Sequence, residues 1–373
     1  MDSIINSTAF FVISKGKPGG AERRFYYLYE YYLSKGKLPH LITNTELFNA
    51  LSVGKISDEN VLDVKLKGNK VISSIKILIS SLLYIKKHKV KHVHFCVNPS
   101  FYSWFMLKVL RAMGCTSSVS IVNSIIRSSS DLSVLNKLFW KRTIQTVDVI
   151  DALSPSIVSN MTHIFGPKDF NKKKVSISVC SFSSRADLIR KDARSNISVN
   201  NRPYDFVFAS RLIEGKGLDL LLNALKLCDA EGHKFTVVIC GNGPLESQIK
   251  SIAFNNIKLI YLGYIKDIHE VLLSSKVALS LQTYENYPSQ FLLESLASNC
   301  NIISTDVGDT RLLLNDDISI LIENNVLCLK NALIKACCDC SSDRIDGIER
   351  LLKEHSVGAF ANYIEGKILE SQI

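Results

Sequence analysis

Apolar residues in this chain come in short β-branched runs, separated by longer stretches in which they recur every three or four positions. The runs read as strands buried on both faces, and the stretches as helices that cover them. In the first half this predicts strands at 9–14 (AFFVIS), 38–43 (LPHLIT), 92–97 (HVHFCV), 117–122 (SSVSIV), 148–153 (DVIDAL) and 174–179 (KVSISV). After a polar stretch the rhythm restarts, with strands at 205–210, 235–240, 258–263, 277–282, 301–306 and 318–322. Helices are predicted at 218–230, 244–253, 267–274 and from about Ser289 to Ala297. The fold class is therefore α/β, with two Rossmann-like domains in tandem facing a central cleft. The expected divisions are a first domain at 1–184, a linker at 185–204, a second domain at 205–354, and a C-terminal helix at 355–373 packing back toward the first domain.

Composition narrows the class. With 46% hydrophobic and 21% charged residues over 373 positions, disordered and low-complexity proteins are excluded. No run approaches the roughly 20 apolar residues that span a bilayer. Asp2 stands where a secretory signal would be basic, so the first apolar run reads as a strand and the chain as cytosolic. Ten cysteines are scattered, and the cluster Cys337-Cys338-Asp339-Cys340 lacks a second pair at zinc-finger spacing, which fits reduced thiols. Residues 1–190 carry 27 Lys and Arg against 12 Asp and Glu, whereas residues 191–373 carry 18 against 23. A basic first half suits an anionic partner, whether nucleic acid, phosphorylated substrate or membrane leaflet.

Candidate chemistry gathers in the second half. FASRLIEGKGLDLLLNAL puts Arg211 just past a strand and Lys216 and Gly217 just before a helix. Two cations beside a helix N-terminus make a diphosphate clamp, or else a pair of solvated loop cations. VVICGNGPLESQI is a strand, a turn containing Gly241 and Gly243, and a helix opening at Pro244; YLGYI then ends a strand at Gly263. In LQTYENYPSQFLLESLASN, Glu285, Asn286, Pro288 and Ser289 lie on a loop whose free amides can face phosphate. Glu294 follows one to two turns into the helix, where its carboxylate could grip vicinal sugar hydroxyls or simply face solvent.

In this order the segments resemble the C-terminal, nucleotide-sugar-binding half of the large retaining glycosyltransferase family 4, of the GT-B fold, continuously over about 120 residues. The resemblance implies that Arg211 and Lys216 hold the donor diphosphate, that Glu285 contacts the donor sugar, and that Glu294 contacts the ribose. Eight residues separate Glu285 from Glu294 where the family has seven, so the loop bulges by one residue or Asn286 takes the first place. FVISKGKPGGAERRF resembles the family's opening strand and Gly-rich loop, with Gly19 and Gly20 where amides approach the donor phosphate. The resemblance also implies a nucleotide diphosphate sugar donor, UDP- or GDP-linked, and a saccharide or lipid-linked saccharide acceptor in bacterial surface-polysaccharide assembly. No nucleic-acid partner and no separate cofactor are expected. No two Asp stand two positions apart, so there is no DxD to hold a metal against the diphosphate, and none is expected.

Other features stay open. The family often places a His after a middle strand of this domain, and His92, His94 and His163 are available for it, although His92 and His94 share one strand face and read as core or rim histidines; Asn123, Ser124 and Arg127 after the next strand are candidate acceptor contacts. Phe25, Tyr26, Tyr27, Tyr29, Tyr31 and Tyr32 fit core packing. Ile72, Ile75, Ile79, Leu82 and Leu83 recur near helical spacing ahead of Lys86, Lys87, Lys89 and Lys91. Such a helix suits the anionic inner face of a plasma membrane, and equally a sheet-covering helix with a solvated basic end. The rival functions are a sugar-nucleotide epimerase, a catalytically silent scaffold and a nucleic-acid-binding protein.

Overall fold

A computed structural model describes residues 4–14, 20–51, 58–66, 69–96, 101–121, 133–168, 170, 175–178, 182–183, 186–195, 199–284, 287, 289–338 and 345–372. It divides into two compact units, residues 1–180 with 357–373, and residues 181–356.

The first unit runs β1 (Thr8–Val12), α1 (Gly20–Ser34), β2 (His40–Asn44), α2 (Thr45–Leu51), β3 (Val61–Val64), α3 (Lys70–Lys87), β4 (His92–Phe95), α4 (Phe101–Ala112), β5 (Thr116–Ile121), α5 (Val134–Thr146), β6 (Val149–Ala152), α6 (Pro155–Phe165) and β7 (Val175–Ile177). Its strands form one parallel sheet in the order β3-β2-β1-β4-β5-β6-β7. That is one strand more than the sequence predicts. β3 is VLDV, short and largely half-buried at the sheet edge, so it lacks the apolar run that marks its neighbours.

Alternation along β1 separates two cores. Ala9, Phe11 and Ile13 join side chains of α3, α4, α5 and α6. Phe10 instead meets Tyr32 and His94. Asn69 starts α3 by accepting from the amides of Val71 and Ile72, and Ser154 with Pro155 starts α6.

The second unit contains α7 (Ala186–Ser195), β8 (Tyr204–Ala209), α8 (Leu218–Ala230), β9 (Thr236–Cys240), α9 (Glu246–Ser251), β10 (Lys258–Gly263), α10 (His269–Leu273), β11 (Ser275–Ser280), α11 (Gln290–Ala297), β12 (Asn301–Thr305), β13 (Ile320–Ile322), α12 (Val326–Cys338) and α13 (Ile345–Glu354). Its parallel sheet has the order β10-β9-β8-β11-β12-β13. The segment expected to be a linker, 185–204, instead contains α7, which packs on α11. Ile189 is fully buried, and the Arg190 guanidinium donates to the Asn299 and Glu349 side chains. Arg202, also buried, donates to the carbonyls of Ser275 and Ser298 at 2.8 and 2.7 Å. These contacts make a segment of linker-like composition part of the second unit.

The last helix, α14 (Val357–Glu370), returns to the first unit and packs on α1. Phe360, Ala361, Ile364 and Ile368 are buried. The Tyr32 hydroxyl donates to the Ala361 carbonyl at 3.0 Å, and Arg24 stacks 3.8 Å from the centre of the Phe360 ring. Beneath lies a polar row: His92 and His94 share the Ser118 hydroxyl, His94 meets Ser120, and Ser120 donates to Asp151, which also accepts from Tyr363 of α14.

Candidate active site

In the second sheet, β8 lies between β9 and β11, so the loops that follow β8 and β11 flank the point where strand order reverses. Open α/β sheets bind ligands at such points, because adjacent loops part in opposite directions there. Here the two loops are stitched together near their start. The Thr283 amide donates to the Gly215 carbonyl at 3.0 Å, and Lys216 Nζ donates to Gln282 Oε1 at 2.6 Å.

Glycines allow this approach. Gly217 has φ +89°, and a Cβ there would lie 1.9 Å from the Leu281 carbonyl oxygen. Gly241 has φ +131°, and its Cβ would lie 1.8 Å from the Ser210 carbonyl oxygen. Both positions exclude side chains through backbone conformation and space together. The Gly241–Gly243 turn thus has a packing role: it lies against the Arg211 loop, where the Leu212 amide donates to the Asn242 carbonyl at 2.9 Å.

The result is a pocket of about 170 Å³ lined by Ser210, Arg211, Lys216, Ser280, Gln282 and Ser289 over an apolar floor that includes Phe208 and Leu279. Among the described residues its lining has two cations and no carboxylate. Helix N-termini reinforce the positive field: α8 starts at Gly217 with no side-chain cap, and α11 starts at Ser289, whose hydroxyl accepts from the Leu292 amide. An anionic group able to accept several hydrogen bonds fits this chemistry, and a diphosphate does so.

Arg211, Lys216 and Ser289 are brought together as the sequence places them. Ser210, Ser280 and Gln282 were not singled out, although Ser280 and Gln282 are two apart at the end of a strand, spacing that puts both on one side. Glu294 does not line the pocket; it is half-buried and its Oε1 accepts from the Ser183 hydroxyl at 2.6 Å. Gly20 opens α1 in the other unit. Gly19, Glu285, Asn286 and Pro288 lie outside the described residues, as do Asn123, Ser124 and Arg127.

In the first unit His92 and His94 are buried within the polar row of the sheet. Burial, together with each one's charged or titratable neighbour, pushes His92 and His94 down to about 3. His163 lies exposed in the last turn of α6.

Comparison with known proteins extends the picture. Residues 189–340 match the family described as Glycosyl transferases group 1, a span that contains the pocket. No curated protein sequence matches the chain. Among solved structures, Alr3699/HepE of Anabaena in complex with UDP is 14% identical, with TM-score 0.70, covering 97% of this chain and 100% of that one. A glycosyltransferase from Rickettsia africae is 16% identical, with TM-score 0.74 and coverage of 97% and 98%. The lipopolysaccharide outer core galactosyltransferase WaaB is 13% identical, with TM-score 0.68 and coverage of 97% and 99%. At these identities the likeness establishes the fold: two Rossmann-like units of the GT-B class.

Proposed function

We propose that this chain is a glycosyltransferase that moves a sugar from a nucleotide diphosphate sugar to an acceptor hydroxyl, with retention at the anomeric carbon. The observation that carries the reading is the pocket in which Arg211 and Lys216 meet at the switch point of the second sheet, inside the region matched by the group 1 family. The HepE structures with UDP and UDP-glucose support a nucleotide-sugar donor.

In this reading Arg211 and Lys216 neutralise charge that grows on the departing diphosphate, so they act more strongly on the transition state than on the bound donor. The bond from the anomeric carbon to the phosphate oxygen breaks, the acceptor oxygen bonds to the same face, and the leaving phosphate takes the acceptor proton. No side-chain base is required. Glu294 would hold the ribose, and Glu285 or Asn286 the sugar. A lipid-linked saccharide of a bacterial surface polysaccharide is the proposed acceptor, and the cytoplasm the proposed site of reaction. Because side chains and helix N-termini supply the positive charge, transfer should persist in EDTA.

The test is thermal unfolding with UDP, GDP, ADP and CMP in separate samples, beside Lys216→Ala. A ligand at about 100 times Kd adds about 2.7 kcal/mol, which should raise Tm visibly at roughly 2–4 °C per kcal/mol. One nucleoside diphosphate should stabilise the native chain and lose much of that effect in the variant. No shift with any nucleotide would sink the reading.

A further inference from the structure

Helix α3 carries apolar side chains on both of its sides, with Ile77, Tyr84 and Ile85 in the core. Ser73 and Ser81 are buried, at 1% and 0% exposure, and their hydroxyls have no hydrogen-bond partner among the described residues. The opposite side carries Val71, Ile72, Ile75, Ile79 and Leu83, all exposed, Leu83 to 64%. A second apolar row left in water, on a helix whose inner side already fills the core, calls for a partner that covers it.

The row does not stand alone. α4 packs against both α3 and α5. It exposes Phe105 and Val109, four residues apart and therefore on one side of the helix, and Met113 is exposed just past its end. α5 exposes Val134, Leu135 and Leu138. The three helices together hold nine Lys and Arg and no Asp or Glu. The sequence itself contains no acid between Asp63 and Asp131.

We propose that the α3–α4–α5 surface of the first unit docks on a bilayer containing anionic lipid, aliphatic rows at the acyl boundary and cations at the headgroups. Charge selects this occupant. A second copy of the chain would bring nine cations against nine, and nucleic acid would satisfy the cations without desolvating the aliphatic rows. Anionic lipid answers both, since long basic side chains reach headgroups while their neighbours enter the hydrocarbon edge. Among the described residues no helix is long and apolar enough to cross a membrane, so the contact is superficial.

The experiment is co-sedimentation of the full chain with phosphatidylcholine vesicles and with vesicles containing phosphatidylglycerol as well. Binding should require the anionic lipid and weaken with salt. Leu83→Ser with Phe105→Ser and Leu135→Ser should abolish it. Lys86→Glu with Lys87→Glu should lower partitioning at least about tenfold, and this exposed pair keeps the test valid if the triple variant fails to fold. Nucleotide-induced stabilisation should be unchanged in both variants, so failure here leaves the donor-site reading standing. Equal binding to both vesicle types, no binding, binding indifferent to the substitutions, or a dimer that the triple variant dissociates would each overturn the proposal.

Discussion

Gly217 shows how a single missing atom shapes the candidate site. Gly217→Ala would force a Cβ onto the Leu281 carbonyl in a backbone region that L-residues avoid. We expect a loss of at least about 2 kcal/mol in denaturant unfolding, with weaker nucleotide stabilisation because Lys216 precedes the strained residue. Lys216→Ala should leave stability near native and lower transfer at least about tenfold, equivalent to about 1.4 kcal/mol on the barrier; native turnover in a folded variant would remove Lys216 from the mechanism. Arg211 and Lys216 were legible in the sequence because cations at a strand end, ahead of glycine and a helix, form a local pattern. Ser280 and Gln282 were not, since their value depends on β11 lying beside β8, and sheet order is not written in the spacing of apolar residues. For Glu294 the residue type and helix were legible, whereas its hydrogen bond to Ser183 joins positions 111 apart in sequence.

Among the elements, β4 carries a pH dependence. His92 and His94 are buried and titrate near 3 in the folded chain, against about 6.5 when unfolded. The unfolded chain therefore takes up protons first, and the folded state loses stability as pH falls from about 6.5 toward 3. At pH 5 the loss should be about 2 kcal/mol for each histidine. Melting between pH 8 and pH 5 should show Tm falling, and His92→Asn with His94→Asn should flatten that slope even while lowering Tm throughout; a flat native profile would contradict the assignment. Long, strongly periodic elements such as α8 and the central strands were legible from their sequence alone. The edge strand β3 was missed because it is short and only Val64 of its residues is buried, and the place of segment 185–204 because Arg190 of α7 and Arg202 beyond it are buried by specific hydrogen bonds that composition does not reveal. The periodicity of α3 was equally plain, yet with isoleucines on both sides it could not tell that Ile77 and Ile85 would face the sheet while Ile72, Ile75 and Ile79 face water.

For the whole molecule, the decisive feature is that the first unit is assembled from two distant segments, 1–180 and 357–373. Removing α14 takes the buried Phe360, Ala361, Ile364 and Ile368 out of the first unit, and each large apolar side chain contributes about 1.5–3 kcal/mol when buried. A chain truncated after Ser356 should therefore show the first unit melting at lower temperature or failing to fold in calorimetry, with the transition and nucleotide response of the second unit retained. Unchanged melting would show that α14 is dispensable. The same discontinuity orders events during synthesis. α14 leaves the ribosome after every residue of the second unit, so that unit is free to finish folding while the first still lacks the segment whose Tyr363 bonds Asp151 and whose Ser371 meets His92. A nascent chain thus carries an incomplete unit through much of its translation, and a chaperone that shields the bare α1 side during that interval would have this segment of the protein as its client.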